Sequence, residues 1–259
     1  DGVRFGMLSS AAAGNDIVFD APFDAETKKA LNESKLCEQG RNFCNKMWNA
    51  LRLIKGLEVV ESPASKEDEA INQLAYDWLI NKYHSLVTDL EKYYKEYRLS
   101  DAIMALYSFI WDDFCSWYLE IVKPPYQQPI DAITYKETLS IFESLLKVMH
   151  PFTPFISEEI WHLIGNREQE DCFINAKWPT IGDYDTSLLS NFELFENVIT
   201  DIRTLRKENN IANKVKLEML IKENKSIEKV YDSLIIKLGN LSKLEYSSNN
   251  IKNAFADKS

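Results

Sequence analysis

Gln39–Leu53 reads QGRNFCNKMWNALRL. As a helix turning about 100° per residue it has two opposed faces. Phe43, Met47, Ala50 and Leu51, with Ile54 just beyond, gather on one side, and Arg41, Asn45, Trp48 and Arg52 on the other. A core helix turns its Trp inward, yet here Trp48 shares a stripe with two guanidiniums and an amide. That mixture suits an RNA loop, because Trp stacks a splayed base, Asn hydrogen-bonds its edge and Arg holds phosphate. Asn42 and Asn49 flank the stripe, and Lys46 lies further round. The competing reading is a solvated polar face with Trp48 tucked against a neighbouring helix.

The surrounding chain favours long helices. Among 259 residues, 45% hydrophobic and 27% charged, there are only eight Gly and eight Pro, against twelve Tyr, thirteen Phe and six Trp. Such a composition belongs to a globular protein with few turns and a well-filled core. A net charge of −10 counts against wholesale nucleic-acid binding, which needs a basic domain. It does not forbid a local patch. Over residues 35–55, Lys35, Arg41, Lys46, Arg52 and Lys55 face Glu38 alone, a net +4. Over 198–216, Arg203, Arg206, Lys207, Lys214 and Lys216 face Asp201 and Glu208, a net +3. That second group fits a grip on RNA backbone and a solvated helix face equally well.

Residues 1–10 read as the tail of a helix and Ala11–Asp24 as a loop, with a turn at Gly14-Asn15-Asp16 and a short apolar piece, Ile17-Val18-Phe19. Ala25 to about Lys55 reads as helix, with a possible break near Asn32, and Gly56–Ser65 as a connector. A long helix is expected from about Lys66 to Tyr97. Another starts at Ser100 as N-cap, with Asp101 in its first turn. In it Ile103, Leu106, Ile110, Phe114, Trp117 and Ile121 recur at threes and fours, a bundle seam. This places Trp117 in the core and leaves Tyr118 and Lys123 pointing elsewhere, as candidate RNA contacts. Lys123-Pro124-Pro125 stops the helix. Further helices are expected at Ala132–Met149, from Thr153 (N-cap) to Gly165, and at Leu188–Asn209. Asn166–Thr186 reads as irregular. Val215–Ile221 reads as a strand, Ser226–Leu238 as a helix, Leu241–Tyr246 as a second strand, and the tail to Ser259 as frayed.

The fold class is therefore mainly α: an antiparallel helical bundle with a small C-terminal α/β appendage. The expected divisions are a linking remnant at 1–34, the bundle at 35–200 and the appendage at 201–259. The abrupt start at Asp1-Gly2-Val3 reads as mid-element, as in a piece of a longer protein.

No chemistry-bearing cluster emerges. Asp112 and Asp113 are adjacent and diverge on a helix, so they are not an acid–base pair, and one of them is expected to pair with an Arg across the bundle. His84, His150 and His162 have no metal-ligand spacing, and the cysteines at 37, 44, 115 and 172 form no metal motif. Cys44 and Cys115 read as small core residues, and all four as reduced cytosolic thiols. Gly14-Asn15-Asp16 lacks the glycines and lysine of a phosphate loop. No metal ligand, catalytic residue or membrane span is expected.

Three blocks, RNFCNKMWNALRL (Arg41–Leu53), FIWDDFCSWYLEIVKP (Phe109–Pro124) and HPFTPFISEEIW (His150–Trp161), resemble the anticodon-binding domain of class I aminoacyl-tRNA synthetases. They stand in the family's order and spacing, and within the class they are most similar to the valyl-specific members, as is LSSAAAGNDIVFD (Leu8–Asp20). The likeness covers about residues 1–220. It implies a parent enzyme that joins valine to its tRNA with ATP and magnesium, working in the cytoplasm. This chain contains neither HxGH nor KMSKS, and the resemblance implies that the catalytic, editing and coiled-coil domains of the same chain are missing here. On that footing the chain binds the anticodon loop of valine tRNA, holds no cofactor and catalyses nothing. The resemblance implies base contacts for Asn45, Asn49 and Arg52. Two alternatives stay open: an isoleucyl-type domain, and a helical protein-interaction module, which the net charge favours.

Overall fold

A computed structural model describes residues 1–11, 14, 16, 20, 22–31, 34–62, 65–168, 170–222 and 228–247. Asn15, the Ile17-Val18-Phe19 piece and the tail beyond Ser247 lie outside the described residues. Two compact units divide the chain, Asp1–Ala64 with Lys82–Tyr184, and Ser65–Asn81 with Asp185–Ser259. The second therefore takes in more than the expected appendage.

The first unit is helical. Helix α1 (Gly2–Ser9) packs on α2 (Lys35–Lys55). The two backbones come so close that a Cβ on Gly40 would collide with the Gly2 carbonyl oxygen. The helix expected from Ala25 onward does not form over residues 25–31. Asp24–Lys29 closes a tight turn, with Asp24 N–H donating to Lys29 C=O at 3.0 Å. The Asp24 carboxylate accepts from Thr27 Oγ1 at 2.6 Å and Glu26 N–H at 2.9 Å, and this local alternative out-competes a helix. Helix α2 starts instead at its own cap, Ser34, whose Oγ accepts from Cys37 N–H at 3.1 Å. Asp20 seals the same end, taking the Ser34 hydroxyl at 2.6 Å and the Lys35 N–H at 2.5 Å. These bonds, the Ser34 hydroxyl first, hold the Asp20 carboxyl below its ordinary value.

Helix α3 (Lys66–Lys95) begins in the second unit and ends in the first. Helix α4 (Leu99–Ser108) continues without a break into a π-helical segment, Phe109–Tyr118, and a last α-helical turn, α5 (Leu119–Val122). The wider i→i+5 turns are visible in the Leu119 N–H bond to Phe114 C=O and in the Ser116 hydroxyl bond to Trp111 C=O at 2.8 Å. Short parallel strands β1 (Val59–Val60) and β2 (Ile130–Asp131) pair Val59 with Ile130. Helix α6 (Ala132–Met149) is capped by Asp131, which accepts from Thr134 N–H at 2.9 Å. Helix α7 (Pro154–Ile164) begins at Thr153 as expected, but the Thr153 side chain caps nothing; the Asp1 carboxylate takes the Ile156 N–H at 2.7 Å.

The core of this unit carries an aromatic ladder. Phe5 stacks on Phe43 at 4.8 Å, Phe43 meets Tyr107 at 5.2 Å, and Tyr107 stacks on Trp111 at 5.4 Å. Behind it, Phe114 stacks on Phe142 at 5.2 Å. Asp113 pairs across the bundle with Lys82 at 2.6 Å, rather than with an Arg, and burial raises its pKa in spite of that ammonium.

In the second unit, Trp78 stacks on Phe192 of α8 (Thr186–Glu208) at 3.9 Å. Strands β3 (Leu217–Lys222) and β4 (Leu241–Ser247) run parallel, joined through α9 (Asp232–Gly239). Asn240 takes the left-handed conformation (φ 49°) that ends α9.

Candidate nucleic-acid interface

Helix α2 displays the expected residues unevenly. Asn42, Asn45, Asn49 and Arg52 are on its outer side, while Trp48 and Lys46 are set lower against the protein. Phe43, Met47, Ala50, Leu51 and Ile54 are buried, as the periodicity requires. Arg41 is exposed but engaged, with Nη2 donating to Glu38 at 2.8 Å. Lys46, further round the helix, sits with Nζ 5.0 Å over the Trp111 ring. That contact fixes which flank of α2 faces the π-helical segment. Counted at about 100° per residue, Asn42, Asn49 and Leu53 share the Lys46 flank, while Arg41 and Trp48 lie on the far side of the polar face.

The same flank runs on to the loop after α5. Leu53, Leu57, Val122, Lys123 and Ile130 line one shallow apolar depression, so the end of α2 abuts the Lys123–Pro129 loop. Lys123 is half-exposed and paired with Glu120 at 2.8 Å. Arg52 and Lys55 in the last turn of α2 are exposed, and their charge complements the helix dipole at that end. The polar face of α2 thus presents three exposed amides, a ring-held ammonium and the exposed guanidinium of Arg52, and its end meets the Lys123–Pro129 loop.

Two assigned residues are not on it. Tyr118 is fully buried, with its hydroxyl 2.9 Å from Thr138 Oγ1. Trp117, expected in the core, is only half-buried. The buried row of the π-helical segment steps from Phe114 to Tyr118 and on to Ile121, so Tyr118 takes the inward place expected of its neighbour Trp117. In the second unit Arg206 is 4% exposed. Its guanidinium donates to the carbonyls of Val215 and Gly239, both at 2.9 Å, and to those of Ala212 and Asn240 at 3.3 and 3.2 Å. It is a structural hub and cannot reach RNA. Arg203 and Lys207 remain exposed on α8.

Sequence reasoning passed over Trp111, which holds Lys46, and Tyr126, which the loop exposes. For Tyr126 the signal was the Pro-Pro-Tyr run itself.

Burial raises the Cys44 pKa and pushes that of Cys115 up to about 12, which leaves these thiols inert. Among the described residues no group of three or more His, Cys, Asp or Glu could hold a metal ion, and no helix is long and apolar enough to cross a membrane.

A family model described as the anticodon-binding domain of tRNA ligase matches residues 77–221. A valine–tRNA ligase of Christiangramia forsetii is 41% identical over 256 residues, which is 99% of this chain and 27% of that protein. One from Parabacteroides distasonis is 42% identical over 94% of the chain, and one from Dechloromonas aromatica 29% identical over 95%. The chain spans about a quarter of the length of these relatives.

Proposed function

The chain belongs to the anticodon-binding domains of tRNA ligases, and from that premise we propose that it is the anticodon-reading part of a valine–tRNA ligase. The observation that carries this reading is the family match, joined to relatives that are 41% and 42% identical over nearly the whole chain and are themselves valine–tRNA ligases. The exposed amides on α2 and the cations around them support it. Activation of valine with ATP and magnesium, and its ligation, are assigned to the rest of a full-length protein, and RNA binding to this chain. The bundle at 35–200 carries the contact, 1–34 links it to the catalytic core, and 201–259 is the appendage.

Valine tRNAs share a central A and a third C in the anticodon. An Asn amide offers both a donor and an acceptor, so Asn45 and Asn49 can match the edge of an unstacked base. Arg52 and Lys46 hold the loop phosphates, Lys46 from a position set by Trp111. In the full-length protein this contact orients the acceptor end towards a distant active site, which makes it a positioning contribution.

The test is a low-salt titration of the chain with valine tRNA, beside a transcript whose anticodon A and C are both changed. Tighter binding of the unchanged transcript is expected. Equal binding means that phosphates alone are held, and no binding to either removes the assignment. Phosphate contacts also make affinity fall with salt, with a logarithmic slope of about −0.7 per contact for single strands.

A further inference from the structure

Between α5 and β2 the chain runs Lys123-Pro124-Pro125-Tyr126-Gln127-Gln128-Pro129. Tyr126 is 91% exposed. The three prolines restrict the backbone, so holding this loop in one shape costs little entropy. Gln128 N–H donates to Pro125 C=O at 2.9 Å and closes a turn around Tyr126 and Gln127. Gln127 has a φ of +63°, left-handed at the position where a type II turn demands it and where Gly or Asn is the usual occupant. A glutamine there is strained, and it persists because both ends of the loop are anchored. Ile130 N–H donates to Glu58 C=O at 2.8 Å, β1 pairs with β2, and Leu53 and Leu57 line the same depression as Val122 and Ile130.

A strained, proline-stiffened turn thus holds an aromatic ring out in water, where it packs on little of the protein. The two ends of the loop, Lys123 and Ile130, line one depression with Leu53 and Leu57 at the C-terminal end of α2, whose last turn also carries exposed Arg52. An aromatic platform beside cations is how proteins grip single-stranded nucleic acid. We propose that Tyr126 is a base-stacking residue: one unpaired base of the anticodon loop lies on its ring, while Arg52 in the last turn of α2 holds a flanking phosphate. The assignment rests on the anticodon reading above. Because every base has a π-face, Tyr126 adds affinity without selecting sequence, and selection falls to the amides of α2.

The test uses the 259-residue chain, the variants Tyr126→Ala, Tyr126→Phe and Tyr126→Trp, and a valine tRNA anticodon stem-loop carrying 2-aminopurine at each loop position in turn. All three variants keep the thermal midpoint of the unaltered chain, since the side chain is so exposed. Tyr126→Ala lowers affinity roughly 5- to 150-fold, and Phe and Trp restore it. The loss is the same for stem-loops with the original and the changed anticodon, and the salt slope does not move. One 2-aminopurine position, quenched by the unaltered chain, is no longer quenched by Tyr126→Ala. If the unaltered chain binds selectively and Tyr126→Ala binds equally well, the Tyr126 assignment falls and the anticodon reading stands. Equal binding of both stem-loops by the unaltered chain overturns base selection alone, and absence of binding overturns both.

Discussion

The Tyr118 hydroxyl lies 2.9 Å from Thr138 Oγ1 in the core, and Thr138 donates onward to the Thr134 carbonyl at 2.8 Å. The pair ties the π-helical segment to α6 and takes Tyr118 out of the interface. Tyr118→Phe is expected to cost about 1 kcal/mol in urea unfolding, because one buried hydroxyl bond is lost, and to leave RNA affinity unchanged. A fall in affinity without a fall in stability would return this residue to the RNA surface.

Arg206 is expected to govern stability in the same way. Arg206→Met fills similar space but leaves four carbonyls without their donor, two of them at 2.9 Å. The expected loss is about 3 kcal/mol or more, read by denaturation. The salt slope of RNA binding should not change. Lys207→Ala, at an exposed site, should leave stability within about 0.5 kcal/mol.

Lys46 lies 5.0 Å from the Trp111 ring, so its ammonium is held in place before RNA arrives. Lys46→Met should lower affinity at low salt and reduce the magnitude of the salt slope by about 0.7. Trp111→Leu keeps the charge and loses the ring. It is expected to weaken binding while the slope stays, and an unchanged affinity would show that the ring does no positioning.

Asp20 ties the start of α2 to acid sensitivity. Its folded carboxyl lies below the ordinary value of 3.8, chiefly through the Ser34 hydroxyl and then the Lys35 and Leu36 amides. A depressed carboxyl stabilises the fold above the ordinary value, and that contribution is lost as pH falls through the folded one. Asp20→Asn should therefore lower the thermal midpoint at about pH 7, and the gap between the two proteins should narrow as pH falls below the ordinary value of 3.8. A gap that persists in acid would mean that packing, not charge, makes the contribution.

Much of the fold could be read from local pattern. Helix α6 appears where the apolar period places it and α2 ends at Lys55 as expected, because an amphipathic period is a property of a few neighbouring residues. The stretch over residues 25–31 misled, since the Asp24 side chain satisfies backbone donors that a helix would have used. The exposed amides of α2 were likewise legible, because a stripe opposite a buried face has nowhere to go but outward.

Tertiary structure alone decided the rest. The period did not decide between Trp117 and Tyr118, which both lie within about 60° of Phe114 on a helix; Tyr118 is the one taken inside, where its hydroxyl meets Thr138 of α6. Arg206 looks like any cation on a basic helix until the carbonyls of Ala212 and Val215 in the following turn, and of Gly239 and Asn240 far along the chain, close around it. Lys46 joins Trp111, and the end of α2 meets the Lys123–Pro129 loop, only when the chain has folded. By itself, the sequence determined most of the helical segments and the family of anticodon-binding domains to which they belong. Packing determined which polar side chains are taken up inside the protein and which remain for a partner, because burial depends on neighbours far along the chain.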